Sequence, residues 1–296
     1  MKKRGIFMHI PFTKMHGLGN NYIYINLFEQ QLPEHVFVPL AVAISDVNRG
    51  IGSDGMVLIH PTDAADCGMR IFNKDGSEAS NCGNALRCVA KYVFDRKMIT
   101  SEHFTIQTKS GFNYVQIDAV DDVAQSITIN MGQPKFERAA MPMTGDPTAH
   151  VINEPFNVDG ETLHMTNVFL GNPHAVFFVD HIDEAPLYTL GEKIEKHDVF
   201  PARTNVEFIE VVHETELQFR VWERGSGVTE ACGTGACGAV VAAIVNGKCA
   251  RNKDVTVHLA GGDLTIRWDD AGDVWMTGPA AFIADGHFFY HVAIQR

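Results

Sequence analysis

With 296 residues, of which 45% are hydrophobic, the chain is long enough to form two domains with buried cores. Its formal net charge of −12 argues against non-specific binding to nucleic acid, whose phosphates attract basic surfaces. Lys2, Lys3 and Arg4 are not followed by the apolar stretch of a secretory signal, and the apolar run from Ala239 to Val245 is too short to span a bilayer. We therefore expect a soluble, cytoplasmic protein with no membrane or nucleic-acid partner.

Short β-branched or alternating runs and a few helical segments predict an α/β chain. The strands are expected at Tyr22–Leu27, Met56–Ile59, Phe104–Thr108, Ser126–Asn130, Ala175–Val179, Val206–Val212, Phe219–Trp222 and Val255–Leu259. The helices are expected at His35–Ser45, Ala85–Arg96, Tyr188–His197 and Ala236–Val245. Because the strands are short and the helices few, we expect a mixed or antiparallel sheet around a helix in each domain, and not a doubly wound fold.

The two halves of the sequence resemble each other. Residues 70–84 align without gaps on residues 220–234, which pairs Cys82 with Cys232. Three shorter matches lie close to the same offset: Leu18-Gly19-Asn20 with Leu170-Gly171-Asn172, FTIQTKSG from Phe104 with VTVHLAGG from Val255, and MGQP from Met131 with MTGP from Met276. Matches in one common order predict a duplicated domain. We expect residues 1–130, with 279–296 packing back onto them, and residues 131–278 to form two pseudo-symmetric domains with a site in the cleft between them.

Two glycine-rich segments, at residues 50–55 and 233–238, have the G-x-G-x-x-G spacing of a dinucleotide-binding loop. That loop must leave a buried strand and enter a helix, and neither segment has this context, so nucleotide binding is disfavoured. The cysteine spacings are not C-x-x-C and no H-E-x-x-H occurs, so no metal site is expected. His174, in the motif GNPH, is the one histidine in a motif-like setting, and a structural histidine is a likelier interpretation for it than a metal ligand.

Two of the six cysteines stand apart from the rest. Cys82 and Cys232 each precede a predicted helix, where unpaired backbone amides and the helix dipole favour a thiolate. Bare amides at a helix start also bind carboxylate groups. The remaining cysteines are expected to be buried core residues: Cys67, Cys88, Cys237 and Cys249.

The sequence thus contains two copies of a thiol next to a carboxylate-binding helix start. This arrangement suits the inversion of a carbon atom that is bonded to a carboxylate. One thiolate would remove the proton from one face of this carbon, and the other thiol would deliver a proton to the opposite face. The amides would stabilise the negative charge that develops on the carboxylate. A single nucleophilic cysteine needs no symmetric partner, and neither does a redox pair. The sequence therefore favours an amino acid racemase or epimerase.

Six motifs spread over nearly the whole chain resemble those of the diaminopimelate epimerase family. They are KMHGLGNN at 14–21, GIGSDG at 50–55, FNKDGSEASNCGNALRC at 72–88, GNPHAV at 171–176, FPARTNVEF at 200–208 and WERGSGVTEACGTGAC at 222–237. The resemblance implies two pseudo-symmetric α/β halves, a homodimer, and interconversion of LL- and meso-diaminopimelate in lysine and peptidoglycan biosynthesis. It also implies that the reaction needs no cofactor, neither pyridoxal phosphate nor a metal.

The resemblance also implies roles for single residues. Cys82 and Cys232 would be the two catalytic bases, with His174 and Glu223 tuning their pKa values. The substrate-binding residues would be Asn20, Asn73, Gly83, Asn84, Asn172, Asn205, Glu223, Arg224, Gly233 and Thr234. Within this set Arg224 suits a carboxylate and Glu223 an ammonium group.

The chain departs from the family pattern near the expected site. Ala85 follows Cys-Gly-Asn where the family has glycine, Phe169 and Leu170 replace small residues before GNPH, and Gly55 follows Asp54 at a variable position. Ala85 and Phe169 add bulk there, so one alternative is a racemase of another amino acid, such as histidine, with the same mechanism. Another alternative is a non-catalytic amino-acid-binding protein. The complete polar set favours diaminopimelate.

Overall fold

A computed structural model describes residues 5–293, so Lys2, Lys3 and Arg4 lie outside the described residues. Contacts between Cα atoms divide the chain into two compact units: Met1–Ile127 with Ala280–Arg296, and Thr128–Pro279. The sequence places the junction at residues 130/131 and the return at residue 279. The second unit is thus continuous in sequence, and the first is formed from both ends of the chain.

The first half of the chain alternates strands with two helices. The elements are β1 (Gly5–Gly17), β2 (Asn20–Asn26), α1 (Glu34–Ser45), β3 (Gly55–His60), β4 (Cys67–Asn73), β5 (Glu78–Ala79), α2 (Gly83–Asp95), β6 (His103–Thr108), β7 (Gly111–Val120) and β8 (Val123–Asn130).

The second half repeats this alternation. The elements are β9 (Glu154–Val158), β10 (Glu161–Phe169), β11 (Pro173–Phe178), a short 3-10 helix (Ile182–Glu184), α3 (Leu187–Glu195), β12 (Asn205–His213), β13 (Glu216–Glu223), β14 (Gly227–Val228), α4 (Gly233–Val245), β15 (Val255–Leu259), β16 (Gly262–Trp268), β17 (Val274–Gly278) and β18 (Ala281–Ala293). Among residues 5–293, none of the helices combines the length and the apolar character needed to cross a bilayer.

The two units share one strand topology. In the first unit the neighbours run β18-β1-β2-β3-β4-β6-β7, and the pairs β2–β3 and β4–β6 are parallel. In the second they run β9-β10-β11-β12-β13-β15-β16-β17, and the pairs β11–β12 and β13–β15 are parallel. The other neighbouring pairs are antiparallel. Because the parallel pairs fall at equivalent places, the duplication predicted from the sequence is confirmed.

A buried helix lies at the centre of each unit. Helices α2 and α4 both have 13 residues, and they begin 150 positions apart, at Gly83 and Gly233. Nearly every residue of both helices is buried, including the polar Arg87 and Lys91 of α2. A helix that is buried on all sides must be enclosed by other elements, and here the strands of each unit enclose it. The prediction of a mixed sheet around a helix is therefore confirmed.

Helix α1 covers the first unit's sheet with one apolar face. Its buried side chains include Val36, Phe37, Leu40 and Ile44, at the spacing of one helix face. They pack in one cluster with residues of β2, β3 and β4, such as Phe72. This packing fixes the strand ends from which the loops of the site emerge.

Candidate active site

Cys82 is the N-cap residue of α2. Its backbone is extended, with φ −155° and ψ 115°, and its carbonyl accepts the first helical hydrogen bond, from Leu86 N at 2.9 Å. Gly83 and Asn84 therefore form the first turn, where no preceding helix carbonyl can accept from their amides. Cys82 is partly exposed. The predicted position of this thiol at a helix start is confirmed, with the helix beginning two residues earlier than expected.

A hydrogen-bonded row of polar side chains lies next to Cys82. The Oδ1 atom of Asn20 lies 3.8 Å from Cys82 Sγ, as the acceptor of the thiol, and 3.3 Å from Asn84 Nδ2. Asn20 donates in turn from Nδ2 to Asp54 Oδ2 at 2.9 Å, and the backbone amide of Asn21 donates to the same oxygen at 2.9 Å. Asp54 thereby fixes which end of the Asn20 amide faces the thiol.

Arg87 stabilises the same hydrogen-bonded row through Asn84. Its guanidinium is completely buried and donates to Asn84 Oδ1 at 2.8 Å. Because Oδ1 of Asn84 is occupied by this bond, its Nδ2 group is the end that turns to Asn20. A cysteine, two asparagines and a buried arginine are thus held in one arrangement at the start of α2.

Cys232 occupies the equivalent position in the second unit. It is the N-cap residue of α4, with φ −120° and ψ 105°, and its carbonyl accepts from Ala236 N at 2.9 Å. Gly233 and Thr234 form the first turn, and the hydroxyl of Thr234 lies 3.6 Å from Cys232 Sγ. Unlike Cys82, Cys232 is buried, with 5% of its surface exposed.

The electrostatic setting of Cys232 corrects the sequence-based expectation that this position favours a thiolate. Burial raises the pKa of the Cys232 thiol well above its usual value, and the nearby carboxyl groups of Glu223 and Glu207 raise it further. Hydrogen bonds from Thr234 and from the amide of Gly235 act in the opposite direction but are outweighed. The raised pKa of Cys232 favours its neutral thiol form.

Glu223 lies directly against this thiol. It is partly exposed and hydrogen-bonds with the hydroxyl of Thr229 and with the thiol of Cys232. Burial of its carboxyl group raises the pKa of Glu223, and the nearby carboxyl group of Glu207 adds to this effect. The structure thus places Glu223 where the resemblance implies that it acts on a thiol.

His174 forms a hydrogen-bonded row with two other side chains. Its Nδ1 atom lies 2.6 Å from Glu207 Oε1, and its Nε2 atom lies 2.8 Å from Asn172 Oδ1. His174 and Glu207 are both completely buried, on the neighbouring parallel strands β11 and β12. Burial raises the pKa of Glu207, although His174 works against this.

Asn205 and Asn73 use their amides within the protein. Asn205 is buried, donates from Nδ2 to Pro173 O at 2.9 Å, and accepts at Oδ1 from Arg224 N at 2.9 Å. Asn73 donates from Nδ2 to Ser77 Oγ at 3.0 Å, in the turn after β4. The side chain of Arg224 is exposed and donates to Ala202 O at 3.3 Å. Asn205 therefore shapes the loops that carry Asn172 and Arg224.

Comparison with known proteins identifies the family. A family model described as diaminopimelate epimerase matches residues 12–137 and 166–283. A diaminopimelate epimerase of Oceanobacillus iheyensis is 58% identical over 96% of this chain and 99% of its own length. One of Bacillus pumilus is 57% identical over 94% of this chain and 98% of its own length. The chain belongs to the diaminopimelate epimerase family. It is accordingly an isomerase.

Solved structures with low sequence identity share the fold of this diaminopimelate epimerase family member. A hydroxyproline epimerase from Agrobacterium vitis superimposes with a TM-score of 0.69 at 14% identity, and covers 95% of this chain and 92% of its own. A PhzF-family phenazine biosynthesis protein from Bacillus anthracis gives a TM-score of 0.68 at 17% identity, with 97% and 100% coverage. The predicted two-domain α/β fold class is thereby confirmed.

The departures from the family pattern lie mostly in packed positions. Ala85 is fully buried in the first turn of α2. The side chain of Phe169 packs against the hydrophobic core of the second unit, and Leu170 is buried. The cysteines expected in the core are buried as well: Cys67, Cys88, Cys237 and Cys249. The bulk of Phe169 is thus directed at least partly into the core.

The sequence did not single out Glu207, Asp54 or Arg87 as site residues. A signal existed for Glu207, because it is a lone acidic residue in the apolar run VEFI of a strand. Asp54 and Arg87 carry no comparable signal, since a charge after a glycine loop or within a helix is ordinarily exposed to solvent. Their contacts with the two asparagines depend on the tertiary structure.

Proposed function

We propose that this protein interconverts LL- and meso-diaminopimelate, with Cys82 and Cys232 as acid and base on opposite faces of the α-carbon and without a cofactor. The observation that carries the proposal is that each unit presents a cysteine as the N-cap of its central helix. The names of relatives up to 58% identical favour diaminopimelate as the substrate over histidine.

In the proposed reaction the bond between the α-carbon and its hydrogen breaks and forms again with inverted configuration. The thiolate of Cys82 takes the proton, and the electron pair remains on the α-carbon and its carboxylate. The thiol of Cys232 then delivers its own proton to the opposite face, so that the two sulfurs exchange roles. The reverse direction begins with Cys232 as the base.

The first turns of α2 and α4 would stabilise the charge that develops. Amides at a helix start point outward along the helix axis and lie at its positive end, which suits a carboxylate in the process of becoming an enediolate. We propose this role for Gly83 and Asn84 in one unit and for Gly233 and Thr234 in the other, because they begin α2 and α4.

The environment of Cys232 supports an acid role in the resting protein. A raised pKa keeps its proton in place at neutral pH, and Glu223 can accept a hydrogen bond from the thiol. His174 would act on the same thiol through the buried pair it forms with Glu207. In this proposal Glu223 and His174 tune the pKa of the Cys232 thiol, which is the role that the family resemblance implies for them.

The distal amino acid group of the substrate needs partners for a carboxylate and an ammonium. Arg224, whose side chain is exposed, suits the carboxylate. Asn20, Asn73, Asn172 and Asn205 would position the substrate, either directly or, for Asn205, by holding the loops in place. We also propose that the protein is a homodimer in the cytoplasm, which light scattering of the purified protein and cell fractionation test.

The deciding experiment incubates the protein with LL-diaminopimelate in deuterium oxide. We expect meso-diaminopimelate to appear on chiral chromatography, with deuterium at the α-carbon detected by mass spectrometry. Cys82→Ala and Cys232→Ala are each expected to abolish epimerisation. The matched control is Cys249→Ala, because Cys249 is a buried cysteine of the second unit that starts no helix.

Full epimerisation by both cysteine variants would disprove the two-cysteine mechanism. Deuterium exchange into L-histidine, with none into diaminopimelate, would transfer the proposal to the histidine alternative. Tight binding of diaminopimelate without any exchange would instead support a non-catalytic binding protein.

A further inference from the structure

Glu207 is a buried carboxyl group for which the proposed reaction has no direct use. It is the third residue of β12, is completely buried, and has its Oε1 atom 2.6 Å from His174 Nδ1. Its other oxygen, Oε2, is buried and has no hydrogen-bond partner within residues 5–293. A carboxylate buried with one oxygen unpartnered is costly, since neither water nor a donor compensates its charge.

A second buried glutamate of the same unit shows the contrast. Glu195 accepts from Trp222 Nε1 at 2.8 Å and from Gly225 N at 2.9 Å, and Arg203 lies 3.4 Å away. Both oxygens of Glu195 are therefore partnered, as an ionised carboxylate requires. Among the residues that the structure describes, the Glu207 side chain has a single hydrogen-bond partner, the ring of His174.

The groups that face Glu207 also disfavour a negative charge there. Glu223 on β13 and Cys232 at the start of α4 both interact with it electrostatically, and each carries no charge or a negative one. Within this group of side chains His174 alone can supply a positive charge. The first turn of α4 also lies close to this carboxyl group, because a Cβ atom on Gly235 would lie 2.9 Å from Glu207 Oε1.

The other nitrogen of His174 indicates where the protons lie. Its Nε2 atom faces Asn172 Oδ1, which can only accept, so Nε2 carries a hydrogen. In a neutral ring Nδ1 then has no hydrogen and must accept, and its only neighbour at 2.6 Å is Glu207 Oε1. A protonated Glu207 satisfies this bond and leaves Oε2 as a carbonyl-type oxygen, which is cheaper to bury without a partner than a charged one.

We propose that Glu207 is a positioning residue that remains protonated and donates a hydrogen bond to Nδ1 of His174. This hydrogen bond fixes the Nε2–H tautomer of the ring, and the tautomer in turn fixes the orientation of the Asn172 amide. With Oδ1 held by His174, Asn172 directs its Nδ2 group away from the ring, towards the position where the family resemblance implies that it binds substrate. The functional part of this inference rests on the proposed function. The inferred tautomer of His174 does not depend on the proposed function.

The direct test is ¹⁵N NMR of protein labelled in its histidines, with the His174 signals assigned by their loss in His174→Gln. We expect one protonated nitrogen, Nε2, and one unprotonated nitrogen, Nδ1, at neutral pH. Glu207→Gln keeps an N–H donor to Nδ1, and the same tautomer is expected. Two protonated nitrogens in the wild-type ring, or a hydrogen on Nδ1 alone, would overturn the proposal.

Kinetics with diaminopimelate test the consequence for Asn172. Glu207→Gln should keep kcat/KM within about threefold of wild type, whereas Glu207→Met, which has no donor, should lower it about tenfold or more, mainly through KM. Equal losses in the two variants would show that the carboxylate charge is what matters, and no loss in Glu207→Met would show that Asn172 needs no such support. Both results contradict the proposal.

The NMR measurement remains informative if the kinetic experiments or the Glu207→Met variant fail. Circular dichroism and thermal melting show whether Glu207→Met folds, and the wild-type and Gln spectra decide the tautomer without it. If the wild-type protein epimerises no diaminopimelate, the proposed function fails while the tautomer is still measured. The two failures are therefore distinguishable.

Discussion

Asn205 Oδ1 accepts a hydrogen bond from the backbone amide of Arg224 at 2.9 Å, and its Nδ2 group donates to Pro173 O at the same distance. One buried side chain thus joins the first residue of β11, which follows Asn172, to the loop after β13. These two segments carry Asn172 and Arg224, which the family resemblance implies as substrate ligands. The integrity of this part of the site therefore depends on an amide that is enclosed in the protein.

Replacement of Asn205 by alanine should destabilise the protein and weaken substrate binding together. The variant leaves the buried carbonyl of Pro173 and the partly buried amide of Arg224 without these partners, at a cost of about 2 kcal/mol in the free energy of unfolding. Urea denaturation measures this, and KM should rise in parallel. Asn157→Ala is the matched control, since Asn157 is exposed on β9 and bonds only the hydroxyl of Thr162. A wild-type unfolding curve for Asn205→Ala would contradict this role.

Gly235 and Gly238, one turn apart on α4, should respond in opposite ways to alanine. A Cβ atom on Gly235 would lie 2.9 Å from Glu207 Oε1 and 3.2 Å from Cys232 Sγ, so the buried pair or the thiol must move. We expect a loss of about 1–3 kcal/mol and of most activity. At Gly238 the nearest atoms are 3.4 Å away, on His174, and alanine should gain up to about 1 kcal/mol from its helix propensity. If Gly235→Ala and Gly238→Ala changed the urea midpoint equally, close packing around Gly235 could not explain its effect.

Asp54 should matter for catalysis through the orientation of Asn20. Its Oδ2 atom accepts from Asn20 Nδ2 and from the amide of Asn21, both at 2.9 Å. In Asp54→Ala the Asn20 amide is free to rotate away from Cys82, and we expect kcat/KM to fall about tenfold or more. Asp66→Ala serves as control, because Asp66 also accepts two hydrogen bonds, both from Thr105, outside the site. Similar kinetics of the two variants would rule out a special role for Asp54.

Alkaline pH should unfold the protein partly through its core cysteines. Burial raises the pKa of Cys88 from 9.0 to about 12. Above pH 9 the unfolded chain loses this proton while the folded protein retains it. The free energy of unfolding therefore falls by about 1.4 kcal/mol per pH unit for this group, until the folded-state pKa is reached. The contribution is fully present below pH 9.

The slope of stability against pH isolates this effect. Cys88→Ala should reduce the slope between pH 9 and 11 by about 1.4 kcal/mol per unit. Val89→Ala, at the adjacent buried position of α2, should lower stability at every pH but leave the slope as in wild type. An unchanged slope in Cys88→Ala would mean that this thiol does not titrate on unfolding.

The sequence was most informative where the information is local or repeated. The gapless match around Cys82 and Cys232 located the two helix starts, because a glycine-rich loop followed by a small-residue helix appears twice. The sequence predicted that residues 279–296 return to the first unit, but it did not identify β1 and β18 as strands, whose pairing joins residues as distant as Thr13 and Asp285. Pro11 and Gly286 interrupt the strand signal in these two segments, and most of the described residues of β18 are exposed.

The ionisable groups around Cys232 show a second limit of prediction from sequence. That Cys232 is neutral follows from its burial beside two glutamates on different strands, and no spacing in the sequence reports such a neighbourhood. The helix-start argument was sound for the position of the thiol, but desolvation outweighs the helix dipole there. Only the tertiary structure supplies the magnitude of each effect.

The return of β18 to the first unit determines the order in which the protein can be completed during synthesis. Strand β1 pairs along nearly its whole length with β18, which is made last. The second unit is continuous and has all its strands once Pro279 has left the ribosome, whereas the first lacks an entire strand until β18 has been synthesised. The half that is translated first is therefore the half that finishes folding last, and until then the free edge of β1 is open to pairing with another chain.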